Sequence, residues 1–269
     1  MDTDDYSPTP PADPPREETE PGHDDPSLAG TASALPDRPW LEVGVVLMIG
    51  VIPHTVSSVV DALSPPEQTT TWTYSFTAES LMHTAWSASI IAAVLWVMRQ
   101  SEDPWSSFGF RKFRPVKDTV MGVGLWILAW VGYVVVSEPL AVVLWNMGFD
   151  WSDESIWENG VLSRPEHALD IPMIIVHSLF NAFSEQLVIT AYLVSRLRRL
   201  AGGPAPAILI AATLFATYHM YQDIWGVVNA AIFGLLFTSL FVVTRRIWPC
   251  FVAHSLADIV PYMLTLFEA

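Results

Sequence analysis

Long apolar runs recur from Trp40 to the end of this 269-residue chain, and few charged side chains interrupt them. About 20 consecutive apolar residues form a helix that crosses about 30 Å of hydrocarbon, and several runs reach that length. Charged residues make up only 15% of the chain and gather in short segments between the runs. The sequence therefore predicts an all-α, polytopic membrane bundle of about seven transmembrane helices over residues 40–269.

The first 39 residues have a different composition, with nine prolines, many Asp and Glu, and almost no large apolar side chain. Such a segment cannot bury enough surface to offset the entropy lost on ordering, so a disordered acidic tail is predicted. The net charge of −15 argues against nucleic acid as a partner, because the chain cannot neutralise a phosphate backbone. The lipid bilayer is the partner that the composition indicates.

Basic residues cluster in three places, and the positive-inside rule assigns all three to the cytoplasm. The clusters lie between Arg99 and Lys117, at Arg196–Arg199, and at Arg245–Arg246. This pattern predicts a cytoplasmic N-terminus, seven crossings and an external C-terminus, with an acidic, Trp-rich outer segment over residues 137–170. The predicted crossings span about residues 40–63, 76–98, 118–136, 170–199, 204–222, 223–245 and 247–269, the first being interrupted by Pro53 and His54.

The fourth crossing carries three polar side chains at four-residue spacing. His177, Asn181 and Glu185 therefore project from one face of the helix. A carboxylate at the centre of a membrane helix costs about 2.5–3.5 kcal/mol, so such a residue normally faces a polar cavity and indicates a functional site. The alternative is a polar seam that joins neighbouring helices, since amide and hydroxyl groups do so in lipid.

Two later crossings add ionisable groups. Helix five contains Phe215 and, four residues on, His219; helix seven contains His254 and, one turn on, Asp258. A lone histidine in an apolar helix is usually a packing residue. Three helices that each bury an ionisable group favour one shared site, because each group has its own desolvation cost.

Two chemistries suit this set, and the spacing does not separate them. Glu185 and an imidazole can deprotonate a water that attacks a carbonyl, while the second imidazole stabilises the oxyanion. Alternatively, Glu185, His219 and His254 can hold one divalent metal such as Zn, which activates the water. Both chemistries hydrolyse an acyl bond.

The ordered motifs resemble those of the CPBP intramembrane proteases, which include type II CAAX prenyl endopeptidases. The resemblance covers about Asp170 to Pro261. It implies a multi-pass integral-membrane peptidase, expected in a bacterial plasma membrane, that acts on a membrane-associated peptide or protein. It makes Glu185 the general base with His219, and His254 with Asp258 the groups that stabilise the intermediate. The predicted supporting residues are Asn181, Gln186, Thr190 and Phe215.

One departure from the family pattern is chemically coherent. The acidic motif usually reads E-E-x-x-x-R, whereas here Gln186 replaces the second Glu and Thr190 replaces the Arg. Both charges are lost together, so a neutral hydrogen bond between Gln186 and Thr190 is predicted in place of the ion pair. Two other functions compete with the protease: a non-catalytic membrane scaffold of the same fold that binds a partner, and a proton-coupled transporter.

Overall fold

The computed structural model describes residues 39–63, 75–148 and 170–265. The predicted disordered tail lies outside these ranges, apart from Pro39, which begins the first helix. Most of the predicted Trp-rich outer segment also lies outside them. The structure therefore bears on the helical domain predicted over residues 40–269.

Within the described ranges the chain is helical and has no strand. The helices are α1 (Pro39–Gly50), α2 (Ile52–Leu63), α3 (Phe76–Gln100), α4 (Pro115–Asn146), α5 (Asp170–Glu185), a π-helical segment (Gln186–Leu193), α6 (Val194–Leu200), α7 (Pro204–Thr217), α8 (Asp223–Thr244) and α9 (Trp248–Thr265), with short 3₁₀ turns at Trp105–Phe108 and Met220–Gln222. The predicted all-α class is confirmed.

The number of membrane crossings differs from the predicted seven. In the described part of the chain, four helical stretches are long and apolar enough to cross a membrane: Phe76–Gln100, Pro115–Asn146, Asp170–Leu200 and Ile224–Thr244. A fifth arises if α1 and α2, which meet at a 43° bend, count as one broken span. Seven crossings are therefore not confirmed, although the apolar helices are those of an integral membrane protein.

Helix α7 is shorter than predicted, and the prediction that it continues to about Gln222 is wrong. It has 14 residues, or about 21 Å at 1.5 Å per residue, which is less than the hydrocarbon thickness. His219 forms hydrogen bonds with two of the last carbonyls of the helix. The backbone N–H of His219 donates to the Ala216 carbonyl at 3.1 Å, and the ring of His219 contacts the Phe215 carbonyl. The chain consequently folds back at Tyr218 instead of extending to the bundle end.

Helix α4 is longer than predicted. The expected boundaries were Asp118 and Val136, but the helix runs from Pro115 to Asn146 and includes Pro139 in its interior. The residues from 137 to 146, predicted to lie in the outer segment, are thus helical. A proline inside a membrane helix is tolerated where neighbouring groups satisfy the freed carbonyl.

The π-helical segment lies at the centre of the bundle. All eight of its side chains, from Gln186 to Leu193, are buried. Helix α1 packs closely against it: a Cβ on Gly50 would lie only 2.8 Å from the Val188 side chain. Small residues at such crossings let membrane helices approach closely. The first span is therefore in contact with the segment that directly follows Glu185.

The basic clusters gather at one end of the bundle and are paired there. The guanidinium of Arg196 bonds to Asp103 and, at 2.7 Å, to Glu42 near the start of α1. Arg246 bonds to Asp118 at 2.6 Å. The hydrogen bond from Arg199, helped by Arg196, holds the pKa of Asp103 below its usual value. Three separate parts of the sequence are thus joined by ion pairs.

Candidate active site

Glu185 lies at the last residue of α5, immediately before the π-helical segment, and faces His254 of α9. Its Oε2 is 3.3 Å from His254 Nε2. The side chain of Glu185 is 17% exposed and that of His254 only 6%. π-Helical turns are frequent at functional sites, because the additional residue redirects the side chains around it. The structure therefore brings together two of the predicted site residues.

A chain of neutral hydrogen bonds fixes the ring of His254. The hydroxyl of Thr190 donates to Gln186 Oε1 at 2.7 Å, and Gln186 Nε2 lies 2.9 Å from His254 Nδ1. An amide nitrogen only donates, so His254 Nδ1 must accept. The neutral ring then carries its proton on Nε2, the atom that faces Glu185. The predicted hydrogen bond between Gln186 and Thr190 is present.

Asp258 borders the same imidazole from the next turn of α9. Its Oδ1 is 3.5 Å from His254 Nε2. Its Oδ2 accepts a hydrogen bond of 3.1 Å from the Asn181 side chain on α5. Asn181 thereby joins α5 to α9 at the level of the site and leaves Oδ1 of Asp258 facing His254.

His219 reaches the site from the turn that follows α7. Its Nδ1 lies 2.8 Å from the Phe215 carbonyl, which only accepts, so Nδ1 carries the proton and Nε2 of the neutral ring is an acceptor. The ring of Phe215 contacts both imidazoles, with its centroid 4.7 Å from His219 and 5.9 Å from His254. The two histidines thus present opposite hydrogen-bonding atoms: an acceptor on His219 and a donor on His254.

A pocket opens beside Glu185. It is lined by Gly50, His54, Ile90, Asn181, Ser184, Glu185, Val188 and Tyr218. Among the described residues, Glu185 Oε2 and the Tyr218 hydroxyl are buried, lie near each other and form no hydrogen bond of normal geometry. Buried polar groups in native proteins are normally paired, so two such atoms at one pocket mark a place where a polar ligand is expected.

His177 shares a face of α5 with Asn181, as predicted, but lies outside the cluster around Glu185. Its ring is 5.5 Å from that of His83 on α3. The side chain is buried, and its Nδ1 has no hydrogen-bond partner among the described residues. The four-residue spacing therefore extends beyond the site toward the start of α5.

The described residues do not provide a ligand set for the alternative in which a bound metal activates the water. Over residues 39–63, 75–148 and 170–265, no group of three or more His, Cys, Asp or Glu side chains has an arrangement that could hold a metal ion. The closest set combines Glu185, His254 and Asp258, whereas the predicted ligand set contained His219.

Two pocket residues were missed by the sequence reasoning. His54 lies in the first span, which carries no recognisable motif, and Tyr218 lies beside the motif residue His219. The only signal was the interruption of an apolar run by Pro53 and His54. A polar residue next to a helix-breaking proline in a membrane span is a reasonable candidate for lining a cavity.

The fold and these side chains define a membrane-embedded helical bundle with a Glu–His site inside it. Residues 167–260, about a third of the chain, match the family model described as Rce1-like, type II CAAX prenyl endopeptidase Rce1-like. This match confirms the family recognised from the motifs, and the family is one of proteases. No curated protein and no solved structure matches the chain significantly.

Proposed function

We propose that the protein is an intramembrane endopeptidase that hydrolyses a peptide bond of a membrane-associated protein or peptide. The observation that carries the proposal is the 3.3 Å contact between Glu185 Oε2 and His254 Nε2 beside a pocket inside an apolar bundle. The Rce1-like match, which includes both residues, supports the same reaction class.

Glu185 is the proposed general base, assisted by His219. A water in the pocket gives a proton to the carboxylate, and its oxygen forms a bond to the carbonyl carbon of the scissile peptide. The unprotonated Nε2 of His219, left free by the bond between Nδ1 and the Phe215 carbonyl, orients this water as an acceptor. The unpaired Oε2 of Glu185 is available for the proton.

His254 is the proposed donor to the tetrahedral intermediate. Its Nε2–H stabilises the oxyanion that forms when water adds to the carbonyl. Asp258 holds the ring orientation, and Asn181 holds Asp258. When the C–N bond breaks, Glu185 returns its proton to the leaving amine, which restores the carboxylate and completes the hydrolysis.

Gln186 and Thr190 support this assignment of roles. Because Thr190 occupies Gln186 Oε1, the amide group is oriented with its nitrogen toward His254 Nδ1. The proton of the ring is thereby kept on Nε2. The departure from the family's charged motif is consistent with an intact site in which neutral groups perform the orientation.

The proposed orientation places the basic end of the bundle in the cytoplasm, with the N-terminus. Arg196, Arg246 and their carboxylate partners gather there, together with Glu42 at the start of α1. The only cysteine, Cys250, is buried, so single cysteines at Arg199 and Asn146 can be labelled selectively. A membrane-impermeant maleimide added outside intact cells should label the cysteine at 146 only; labelling at 199 only would reverse the orientation.

Cleavage assays with two probes test the reaction. The purified protein in liposomes is given a peptide that ends in a farnesylated C-a-a-X box, or the same peptide without the lipid. Terminal-peptide profiling of membranes from cells that express the wild type or Glu185→Gln covers substrates of other sequence. New termini that appear with the wild type and not with Glu185→Gln support the proposal; identical termini in both contradict it.

The competing scaffold function rests on the same replacements at Gln186 and Thr190, which remove two charged groups of the family motif. It predicts that a protein with alanine at Glu185, His219 and His254 retains its cellular function and produces no change in termini. Loss of that function, with normal membrane insertion, favours the protease.

A further inference from the structure

The broken first span supplies a side chain to the pocket. Helices α1 and α2 meet at a 43° bend near Pro53, and His54 follows directly. The bend lies against the π-helical segment, since a Cβ on Gly50 would be 2.8 Å from Val188. His54 and Glu185 consequently line one pocket, although 131 positions of sequence separate them.

Helix α2 is also attached to the turn that carries His219. The backbone N–H of Tyr221 donates to the Ser58 hydroxyl at 2.7 Å, and Ser58 is only 1% exposed. The ring of His54 lies 5.8 Å from that of Tyr218 in the same turn. The position of His54 is therefore set by contacts between α2 and the turn that carries His219.

A tryptophan fixes the proton of His54. The indole Nε1 of Trp86, on α3, donates to His54 Nε2 at 3.1 Å. An indole N–H is always a donor, so Nε2 accepts and the ring is neutral with its proton on Nδ1. His54 thus resembles His254 in having one ring nitrogen committed to a neighbour and the other fixed as an N–H donor.

We propose that His54 is a substrate-binding residue that donates its Nδ1–H to a backbone carbonyl of the bound peptide. The inference rests on the proposed peptidase function. His54 lies outside residues 167–260, so the family match does not include it. An extended peptide beside Glu185 needs donors for its carbonyls, and the Tyr218 hydroxyl, which lies near Glu185, is another polar group of the same pocket. Recognition of a peptide backbone at this point gives the imidazole a function beside Glu185.

Isosteric variants separate the two ring nitrogens. His54→Asn keeps an N–H donor near the position of Nδ1, whereas His54→Gln keeps a group near Nε2 and removes the donor at Nδ1. We expect His54→Ala and His54→Gln to raise KM for the cleaved peptide about tenfold, the change that corresponds to about 1.4 kcal/mol of lost binding. His54→Asn should stay within about threefold of the wild type, and kcat should change less than KM in all three.

Trp86→Phe provides a second, milder variant that leaves His54 in place. It removes only the indole N–H that selects the proton position, and we expect KM to rise about threefold. Trp96→Phe is the matched control on the same helix, because Trp96 is 58% exposed and does not line the pocket. It should leave KM unchanged.

Binding measured in the Glu185→Gln background makes the inference independent of cleavage. A fluorescent form of the farnesylated C-a-a-X peptide is titrated onto Glu185→Gln alone and combined with each His54 variant, and the Tm of every variant is measured. A tenfold weaker Kd with His54→Ala and a retained Kd with His54→Asn support the role of His54. Equal Kd values in all proteins overturn it, even if cleavage depends on Glu185. Binding that depends on His54 without any cleavage by the wild type contradicts the proposed function alone.

Discussion

The basic end of the stretch from Asp170 to Leu200 and the site at its middle differ in how they accommodate buried charge. At the basic end, Arg196 is bonded to Glu42 and Asp103, so two carboxylates accept hydrogen bonds from one guanidinium. At the site, Glu185 lies against a neutral imidazole, and its Oε2 has no hydrogen bond among the described residues. The paired charges join helices, whereas the unpaired carboxylate keeps its hydrogen-bonding capacity for a ligand. The comparison predicts that changes at the basic end reduce stability, whereas changes at the site reduce activity.

Loss of Arg196 should have the largest effect, and on stability. Arg196→Ala removes the cation that pairs with Glu42 and one of the two cations that pair with Asp103, and breaking such a buried pair costs about 3–5 kcal/mol. We expect a large fall in Tm and unchanged activity per folded molecule. The matched control is Arg199→Ala, because Arg199 is 56% exposed and exposed pairs contribute about 0–1 kcal/mol. Equal Tm values for the two variants would show that the buried ion pairs of Arg196 do not stabilise the fold more than exposed pairs do.

Loss of His254 should reduce activity and leave stability nearly unchanged. His254→Ala removes the proposed oxyanion donor, and removal of one such donor typically lowers kcat about 10²–10³-fold. The Tm should change little relative to that of Arg196→Ala. Ser255→Ala is a suitable control, because the Ser255 hydroxyl only donates to the Phe251 carbonyl within its own helix. Near-normal kcat in His254→Ala would show that the intermediate is stabilised elsewhere.

Asp103→Asn tests the ion pairs of the basic end through the pH dependence of Tm. At neutral pH we expect the substitution to lower the free energy of unfolding by about 1.5 kcal/mol, the typical contribution of a hydrogen bond to a charged group. Because Arg199 and Arg196 lower the pKa of Asp103, its carboxylate stabilises the fold above the unfolded pKa of about 3.9, and this contribution is lost as pH falls through the lower folded pKa. The Tm difference between wild type and variant should therefore narrow only below about pH 4. A difference that narrows between pH 7 and 5 would point to another group.

Thr190→Val should produce the smallest effect and should act on the site. The substitution preserves shape and removes the hydroxyl that orients Gln186, a bond worth about 1 kcal/mol. We expect kcat to fall about fivefold, as that energy implies, with little change in KM. Thr190→Ser keeps the hydroxyl and should retain the activity. If serine and valine behave alike, the orientation of Gln186 does not depend on this hydrogen bond.

The helical class and the proximity of His254 to Asp258 could be predicted, because both follow from local spacing. Apolar runs require helices in lipid, and four-residue spacing places side chains on one face. The order of the motifs along the chain then indicated which helices meet. The role of Gln186 and Thr190 as a neutral pair followed from the simultaneous loss of two charges.

The features that could not be predicted from the sequence depend on tertiary structure. The π-helical segment after Glu185 has no hydropathy signature, because its wider turn contains the same apolar residues as an α-helix. The end of α7 at Thr217 depends on where His219 finds its partner, the Phe215 carbonyl. The contribution of His54 arises only because the first span is broken beside Val188.

Hydrolysis in ¹⁸O-labelled water tests the central claim most directly. The wild type and Glu185→Gln, matched for Tm and reconstituted in liposomes, are incubated with the cleaved peptide, and the new C-terminal carboxylate is analysed by mass spectrometry. Attack by a water that Glu185 activates predicts one ¹⁸O atom in the wild-type product and a rate about 10²–10⁴-fold lower in the variant. Cleavage by Glu185→Gln at the wild-type rate, or a product without ¹⁸O, would contradict it.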